Sequence, residues 1–446
     1  MTNKLLTDRI MTVEELVKFA EEAILRKKGV SLSILQKLIL RECCLDPRKS
    51  YDLIAQESGY SGGYLKKKVV PRLWKLLSDT FAEKVTKANC RYLIKESRKT
   101  FLLNLAKDIT LESPEGPVPL DSPFYIERPE LERSLFEEIL EPGALIRLKG
   151  PGKTGKTTLL TRTLASVEKR QYHTVRLNLN RAGSTVLNSP DRFFRWFCAS
   201  TTQQLELEAR LEEYWYEDFG VVSNCGIYFY KYLLEQIEQP LVLGLDEVSR
   251  LLEHPAIARD FFALLQSWHE EAKDCSVWQK IRIVICDSTD ACVRWNLDRS
   301  PLNVGLVLEL PAFTSLQVQE LALRHQLSLS SRDLRKLESL LGGFPYLTRK
   351  LFYQVVRHQE PLKDLVATAA SDTGIFSDRL QEQLQVLQKN PDLLAAYRQV
   401  VTADSPIVLQ ANRAYQLKSL GLIRLHQSRV TASCQLYRQY FRERLQ

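Results

Sequence analysis

The sequence predicts an α/β P-loop core, a parallel sheet with helices on both faces. An all-α helix-turn-helix domain precedes it, and a helical lid plus a winged helix come after it. Three observations carry this expectation. Gly150-Pro-Gly-Lys-Thr-Gly-Lys-Thr157 reads G-x-x-x-x-G-K-T, a phosphate-binding P-loop, and lies between a strand-like and a helix-like run. Apolar strand-like runs then alternate with helical stretches, as a parallel sheet with covering helices requires. Charge is also uneven: the first 100 residues hold 21 Lys and Arg against 12 Asp and Glu, leaving 41 against 42 in the rest.

At 446 residues the chain is long for one core, and the reading divides it into five parts. These are a basic helical domain over 1–100, a linker over 101–123, the core over 124–310, a lid over 311–370 and a winged helix over 371–446. No apolar run reaches membrane-spanning length, and the start lacks a signal-peptide stretch, so no membrane is expected and a cytoplasmic home is the default. Nine cysteines are scattered with no C-x-x-C pair, which speaks for buried free thiols rather than a zinc site.

In the amino-terminal part, Val13, Leu16, Val17, Ala20 and Ile24 recur at helical spacing until Gly29. Ser31 is expected to cap a second helix over Ile34 to Ile39. Tyr51–Ser58 is a third helix ending at Gly59, and Tyr64–Val70 a fourth, stopped by Pro71, before Leu73, Leu76, Leu77 and Phe81 continue helically. Ala55, Gly59 and Leu65 have the spacing of a helix-turn-helix: a small residue for close approach, a glycine for the turn, an apolar pin. Its second helix would carry Tyr64, Lys66, Lys67 and Lys68 outward. Lysines suit phosphate contacts, and no Arg, Asn or Gln there offers bidentate base reading. Val85–Arg91 is read as a small β wing. DNA contact and a protein–protein adaptor role both stay open for this domain.

A Pro-rich stretch over 113–123 reads as a linker. A helix then runs through Leu135, Ile139 and Leu140, and Ala144–Leu148 suits the first strand. In the P-loop, Gly150, Gly152 and Gly155 let backbone N–H groups turn toward a polyphosphate, with Lys153, Thr154 and Thr158 in the same cradle. The next helix favours an anion at its N-terminus. Lys156 reaches the β and γ phosphates, and the Thr157 hydroxyl holds Mg²⁺. ATP or ADP with Mg²⁺ is therefore the expected ligand. Thr174–Leu179, Pro240–Glu247 and Ile281–Cys286 are further strands. Asp246 closes the second of these, where a carboxylate holds Mg²⁺. Glu247 beside it can polarise the attacking water, and Ser288 and Thr289 end the neighbouring strand, where they can sense the γ-phosphate.

Toward the end, Leu316, Val318, Leu321, Leu323 and Leu327 pattern a helical lid. Leu393, Leu394, Tyr397 and Val400 share one helix, and Ala411–Leu420 forms another, stopped by Gly421. Leu422–His426 and Arg429–Thr431 pair across Gln427-Ser428, and Tyr437, Tyr440 and Phe441 close the chain helically. This order is that of a winged helix.

Phe124–Glu132, Pro142–Pro151, Pro240–Arg250, Ser300–Gly305 and Gly342-Gly-Phe-Pro-Tyr346 together resemble the cyanobacterial AAA-like domain family, within the signal-transduction ATPases with numerous domains (STAND class). The resemblance covers residues from about 120 to 446. Gly59–Tyr64, Leu73–Ser78 and Glu83–Lys87 are similar to the helix-turn-helix domain of the vWA-MoxR-associated-protein type. The family resemblance implies that Pro345, in Gly343-x-Pro345, packs on adenine. It implies that Arg128 approaches the nucleotide, although Glu127 stands where the family's entry motif has glycine. Arg250, Arg294 and Arg299 are the candidates for an arginine finger.

These residues support three functions. The first is a slow, nucleotide-operated switch ATPase that recruits a protein effector or DNA and can self-assemble, in signalling or defence. The second is a DNA-binding regulator with a structural nucleotide. The third is an oligomeric AAA+ motor.

Overall fold

The computed structural model describes residues 13–45, 47–105, 110–288 and 304–445. The chain forms two compact units. Unit 1 comprises Met1–Glu112, Ile126–Arg133 and Thr314–Lys336, and unit 2 comprises Ser113–Tyr125, Ser134–Phe313 and Leu337–Gln446.

Unit 1 is helical. Its first helix, Val13–Lys28, ends at Gly29 with φ 67°. The second, Ile34–Cys44, is capped by Ser33 and not by Ser31. The Ser33 hydroxyl accepts from the Gln36 N–H, and Gln36 reaches back in a capping box that Ser31 cannot make. Tyr51–Ser58 ends at Gly59, whose φ of 74° a side chain would resist. Pro71 does not stop the next helix. Gly62–Tyr64 continues through a π-turn over Leu65–Val69 into Val70–Phe81, with the Val70 N–H donating to the Leu65 carbonyl. The wider turn re-registers the helix at a residue that has no N–H to give, and the proline falls in the first turn of Val70–Phe81, where the ring is tolerated.

The expected β wing at Val85–Arg91 is absent. Asn89 Oδ1 accepts from the Thr86 N–H at 2.7 Å and from its hydroxyl at 2.9 Å, and this turn launches the helix Cys90–Leu105. Ile24, Ile39, Leu40, Leu65, Leu73, Leu77 and Ile94 form the core. The helix Ser315–Arg324, read from sequence as part of a lid, belongs to this unit. Glu320 accepts from Arg26 at 3.0 Å, Gln319 from Arg98, and Gln317 donates to the Glu127 carbonyl at 2.7 Å.

Unit 2 holds the sheet. Its strands are β1 (Leu145–Gly150), β2 (His173–Asn178), β3 (Leu241–Asp246), β4 (Ile281–Ser288) and β5 (Leu306–Glu309), in the order β2-β3-β4-β1-β5 and parallel throughout. β3 is buried along its whole length, which explains its unbroken apolar run. β5 has no counterpart in the sequence reading: four residues at a sheet edge, only one of them buried, carry too little pattern. Phe193, Phe197, Phe229, Phe261 and Trp268 pack into one aromatic core with the strands. After the helices Pro391–Thr402 and Ala411–Ser419, β6 (Ile423–His426) pairs antiparallel with β7 (Arg429–Ala432). Gln427 takes φ 57° in their turn, supplying without Asn-Gly the backbone that the hairpin needs. Ile407 bridges to Val430, and the helix Gln435–Arg444 comes last.

Seven of the eight cysteines among the described residues are buried and Cys275 is half-buried, all of them unpaired. Among these residues no helix is long and apolar enough to cross a membrane.

Candidate nucleotide site

The P-loop joins the C-terminal end of β1 to the helix Lys156–Glu168. Gly155 is that helix's N-cap at φ 99°, and Lys153 takes φ 64°. Space is tight as well: a Cβ on Gly150 would lie 3.0 Å from the Thr154 hydroxyl. That hydroxyl donates to the Pro151 carbonyl at 2.8 Å, so the buried Thr154 shapes the loop from within. Lys156 is 8% exposed, and its ammonium donates to the carbonyls of Gly150 at 2.8 Å and Pro151 at 2.9 Å. It is held inside the loop, where the phosphates of a nucleotide would meet it.

β3 delivers Asp246 to the same place. Its Oδ1 accepts from the Thr157 hydroxyl at 3.0 Å and its Oδ2 faces the Arg176 guanidinium at 3.1 Å. The two expected Mg²⁺-holding side chains are therefore in contact. Burial pushes the Cys286 thiol on β4 well up. Asp246 adds to that rise and Lys156 and Arg176 oppose it, so these charges converge on one end of the sheet.

Glu247 comes directly after Asp246 and takes φ 57°, a left-handed conformation that a side chain resists and that is frequent at working sites. Ser288 closes β4 in register with Gly150, at the level of the P-loop. Thr289, Arg294 and Arg299 lie outside the described residues. Arg250 is half-buried on the short helix after Glu247, where its N–H donates to the Glu247 carbonyl at 3.1 Å.

Pro345 begins the helix Pro345–His358, shortly after Gly342 and Gly343, both at positive φ. The next residue, Tyr346, brings this segment to the P-loop: the Lys153 ammonium lies 4.2 Å from the centre of its ring. The Tyr346 hydroxyl donates to Glu115 at 2.8 Å, and burial together with that carboxylate pushes its pKa up. Thr158 is buried, and its hydroxyl accepts from the Val118 N–H at 3.0 Å, so the expected linker packs against the start of the P-loop helix. Arg162 on that helix donates to the carbonyls of Pro119 and Leu120 and stacks on Tyr125. The C-terminal segment also reaches the loop, since a Cβ on Gly421 would lie 3.0 Å from the ring carbons of Pro151. Arg128 belongs to unit 1, buried, with its N–H donating to Glu132 at 2.6 Å.

Sequence reasoning missed Arg176, Tyr346 and Gly421 as parts of this site. Arg176 was visible only as a polar position in an alternating strand, Tyr346 as the neighbour of the proline, and Gly421 as a helix stop.

In unit 1, Tyr64, Lys66, Lys67 and Lys68 are all exposed. Tyr64 stacks on Tyr60 at 6.2 Å, and Lys66 pairs with Asp52 at 2.7 Å. The lysines occupy the π-turn rather than a regular α-helix.

The residues of the unit 2 site fit a nucleotide with Mg²⁺: a glycine-shaped loop, an ammonium, and a hydroxyl beside a buried carboxylate. Residues 113–443 match the AAA-like domain, and residues 11–97 match the vWA-MoxR associated protein N-terminal HTH. The chain belongs to the AAA-like domain family. It is similar in structure to a Walker-type ATPase of Pyrococcus abyssi, at 13% identity and TM-score 0.53, covering 74% of this chain and 99% of that one. An ORC2 protein of Aeropyrum pernix in ADPNP–ADP complexes matches at 16% identity and TM-score 0.43, over 74% and 95% of the two chains. AMPPCP-bound DnaA from Aquifex aeolicus matches at 12% and 0.30, over 67% and 79%. The likeness of fold rests on the first of these structures. No curated protein matches the chain.

Proposed function

We propose that this AAA-like chain is a nucleotide-operated switch, binding ATP or ADP with Mg²⁺ and hydrolysing ATP slowly. The observation that carries the reading is the double contact on the P-loop. Lys153 lies against Tyr346, and Pro151 lies against Gly421, so one loop touches both the Gly-Phe-Pro-Tyr segment and the carboxyl-terminal helices and hairpin. Phosphates entering the loop draw Lys156 and the backbone N–H groups toward them, and Pro151 and Lys153 lie in the same few residues. A change at the phosphates is thus a change at both contacts.

In this mechanism Thr157 and Asp246 would hold Mg²⁺, which would supply positive charge against the phosphates. Lys156 adds an ammonium to the same phosphates, Glu247 orients and polarises the attacking water, and Ser288 and Thr289 read the γ-phosphate. Pro345 packs on adenine. The carboxyl-terminal part acts as a winged helix that reports the nucleotide state. Output passes through the amino-terminal domain to a protein effector, with self-assembly as part of the response, in signalling or defence. Glu247→Gln should hold the triphosphate state and retain the partner in a pull-down. Equal recovery of partners by Glu247→Gln with ATP and by the ADP-loaded chain would end the switch reading.

A second reading is favoured by the exposed Lys67, Lys68 and Tyr64: the amino-terminal domain binds DNA through phosphate contacts. Full-chain binding to duplex DNA that falls steeply with salt supports it, and salt-independent or absent binding removes it.

A further inference from the structure

Both oxygens of the Asp246 carboxylate are engaged. Oδ1 takes the Thr157 hydroxyl and Oδ2 the Arg176 guanidinium. Thr157 is the partner expected at a P-loop site, whereas Arg176 comes from a different strand and is explained by nothing in the motif. It lies on β2 opposite Gly244, two residues before the level of Asp246 on β3. Side chains two apart in a strand share a face, so Arg176, level with Gly244, lies on the same face as Asp246.

Its backbone is fixed as well. β2 is an edge strand, and the Gln204 side chain closes that edge by accepting from the Arg176 N–H at 2.8 Å and donating to its carbonyl at 3.0 Å. The partner of Asp246 is thus a guanidinium cation. The Asp246 carboxylate is about 2% exposed, whereas the Arg176 side chain is 35% exposed and can move outward without leaving water.

We infer that Arg176 is a resident counter-cation that competes with Mg²⁺ for Asp246. This rests on the proposed nucleotide–Mg²⁺ reading of the site. Without metal, Arg176 neutralises the buried carboxylate and keeps it shaped for the ion. With Mg²⁺ bound, Thr157 and Asp246 would hold the ion and the guanidinium would give up Oδ2. The Mg²⁺ concentration at which the metal-bound complex forms is therefore raised by the strength of the Arg176–Asp246 pair. Because the arginine is partly exposed, that pair is screened and its effect is moderate.

The test uses the full chain saturated with ATP in chelator, titrated with MgCl₂ and followed by nucleotide fluorescence or calorimetry. Arg176→Gln should lower the Mg²⁺ midpoint about tenfold, equivalent to about 1.4 kcal/mol. Arg176→Met should do the same, and Arg176→Lys should restore most of the wild-type midpoint. An unchanged or raised midpoint in either neutral variant, with the fold intact, overturns the inference. Unfolding of both neutral variants while Arg176→Lys folds would make the charge structural and overturn it too. A wild-type chain that binds no ATP with or without Mg²⁺ removes the nucleotide reading itself. A wild-type chain that binds ATP beside variants with unchanged midpoints removes only the role of Arg176.

Discussion

Replacing Gly343 by alanine should destabilise unit 2 and loosen the segment that carries Pro345 and Tyr346. Gly343 sits at φ +74°, and a Cβ there would lie 2.3 Å from the Phe313 carbonyl oxygen and 3.3 Å from the Phe313 N and C. These are backbone atoms, so no rotamer change relieves the contact. Restoring an ordinary C···O approach of ~3.3 Å requires the two segments to part by about 1 Å. They are joined by the Phe313 N–H donating to the Gly343 carbonyl at 2.8 Å, and parting them breaks that bond. Left-handed backbone costs an alanine roughly 1–2 kcal/mol, and the broken hydrogen bond adds about 1 kcal/mol. The expected loss is therefore about 2–3 kcal/mol, a fall in Tm of roughly 5 °C for a unit of this size. Calorimetric unfolding of the full chain measures it. Gly63→Ala is the internal control, because Gly63 lies in a helix without positive φ and its Cβ would meet nothing within 4 Å. That variant should be neutral or gain up to about 1 kcal/mol. A Gly343→Ala chain melting within about 1–2 °C of wild type, an interval below about 1 kcal/mol, would refute this reasoning.

Three further outcomes are expected. Lys156→Ala should abolish ATP binding in calorimetry, because the ammonium is held inside the loop by the Gly150 and Pro151 carbonyls, and retained wild-type affinity would contradict the site. Neutralising Lys66, Lys67 and Lys68 together should weaken DNA retention and flatten its salt slope, by about one for each phosphate no longer neutralised, and an unchanged slope would remove these lysines from the interface. Burial raises the Glu22 carboxyl above its ordinary value of 4.5, with Arg26 and Lys18 opposing and Glu320 and Glu21 adding. An acid whose folded pKa is raised favours the fold most at low pH, and its contribution declines as pH rises from 4.5 through the raised value. Glu22→Gln should therefore flatten the decline of unit 1 stability across that window, and an identical pH profile for both chains would count against it.

Sequence alone located the loop between β1 and its helix, because glycines at fixed spacing act through backbone freedom within eight residues. It also carried four of the five core strands. A buried parallel strand is apolar throughout, as β3 is, and its polar end marks where a carboxylate emerges. Local capping misled it at Ser31 and at Val85–Arg91, where a hydrogen-bonded side chain a few residues away decided the element. Pro71 misled it because a π-turn, invisible to helical periodicity, absorbs the missing N–H.

Tertiary structure alone decided the meetings between segments far apart in the chain. Arg176 and Asp246 are 70 residues apart, and only the pairing of β2 with β3 brings them within 3.1 Å. Tyr346 reaches Lys153, and Gly421 reaches Pro151, through packing that leaves no periodic trace. The helix Ser315–Arg324 has the apolar spacing of any amphipathic helix. Its polar residues Gln317, Gln319 and Glu320, bonded to Glu127, Arg98 and Arg26, assign it to unit 1. Spacing along a chain encodes which face of an element is apolar, whereas the partner for that face depends on shape and on hydrogen bonds that exist only once both surfaces are folded.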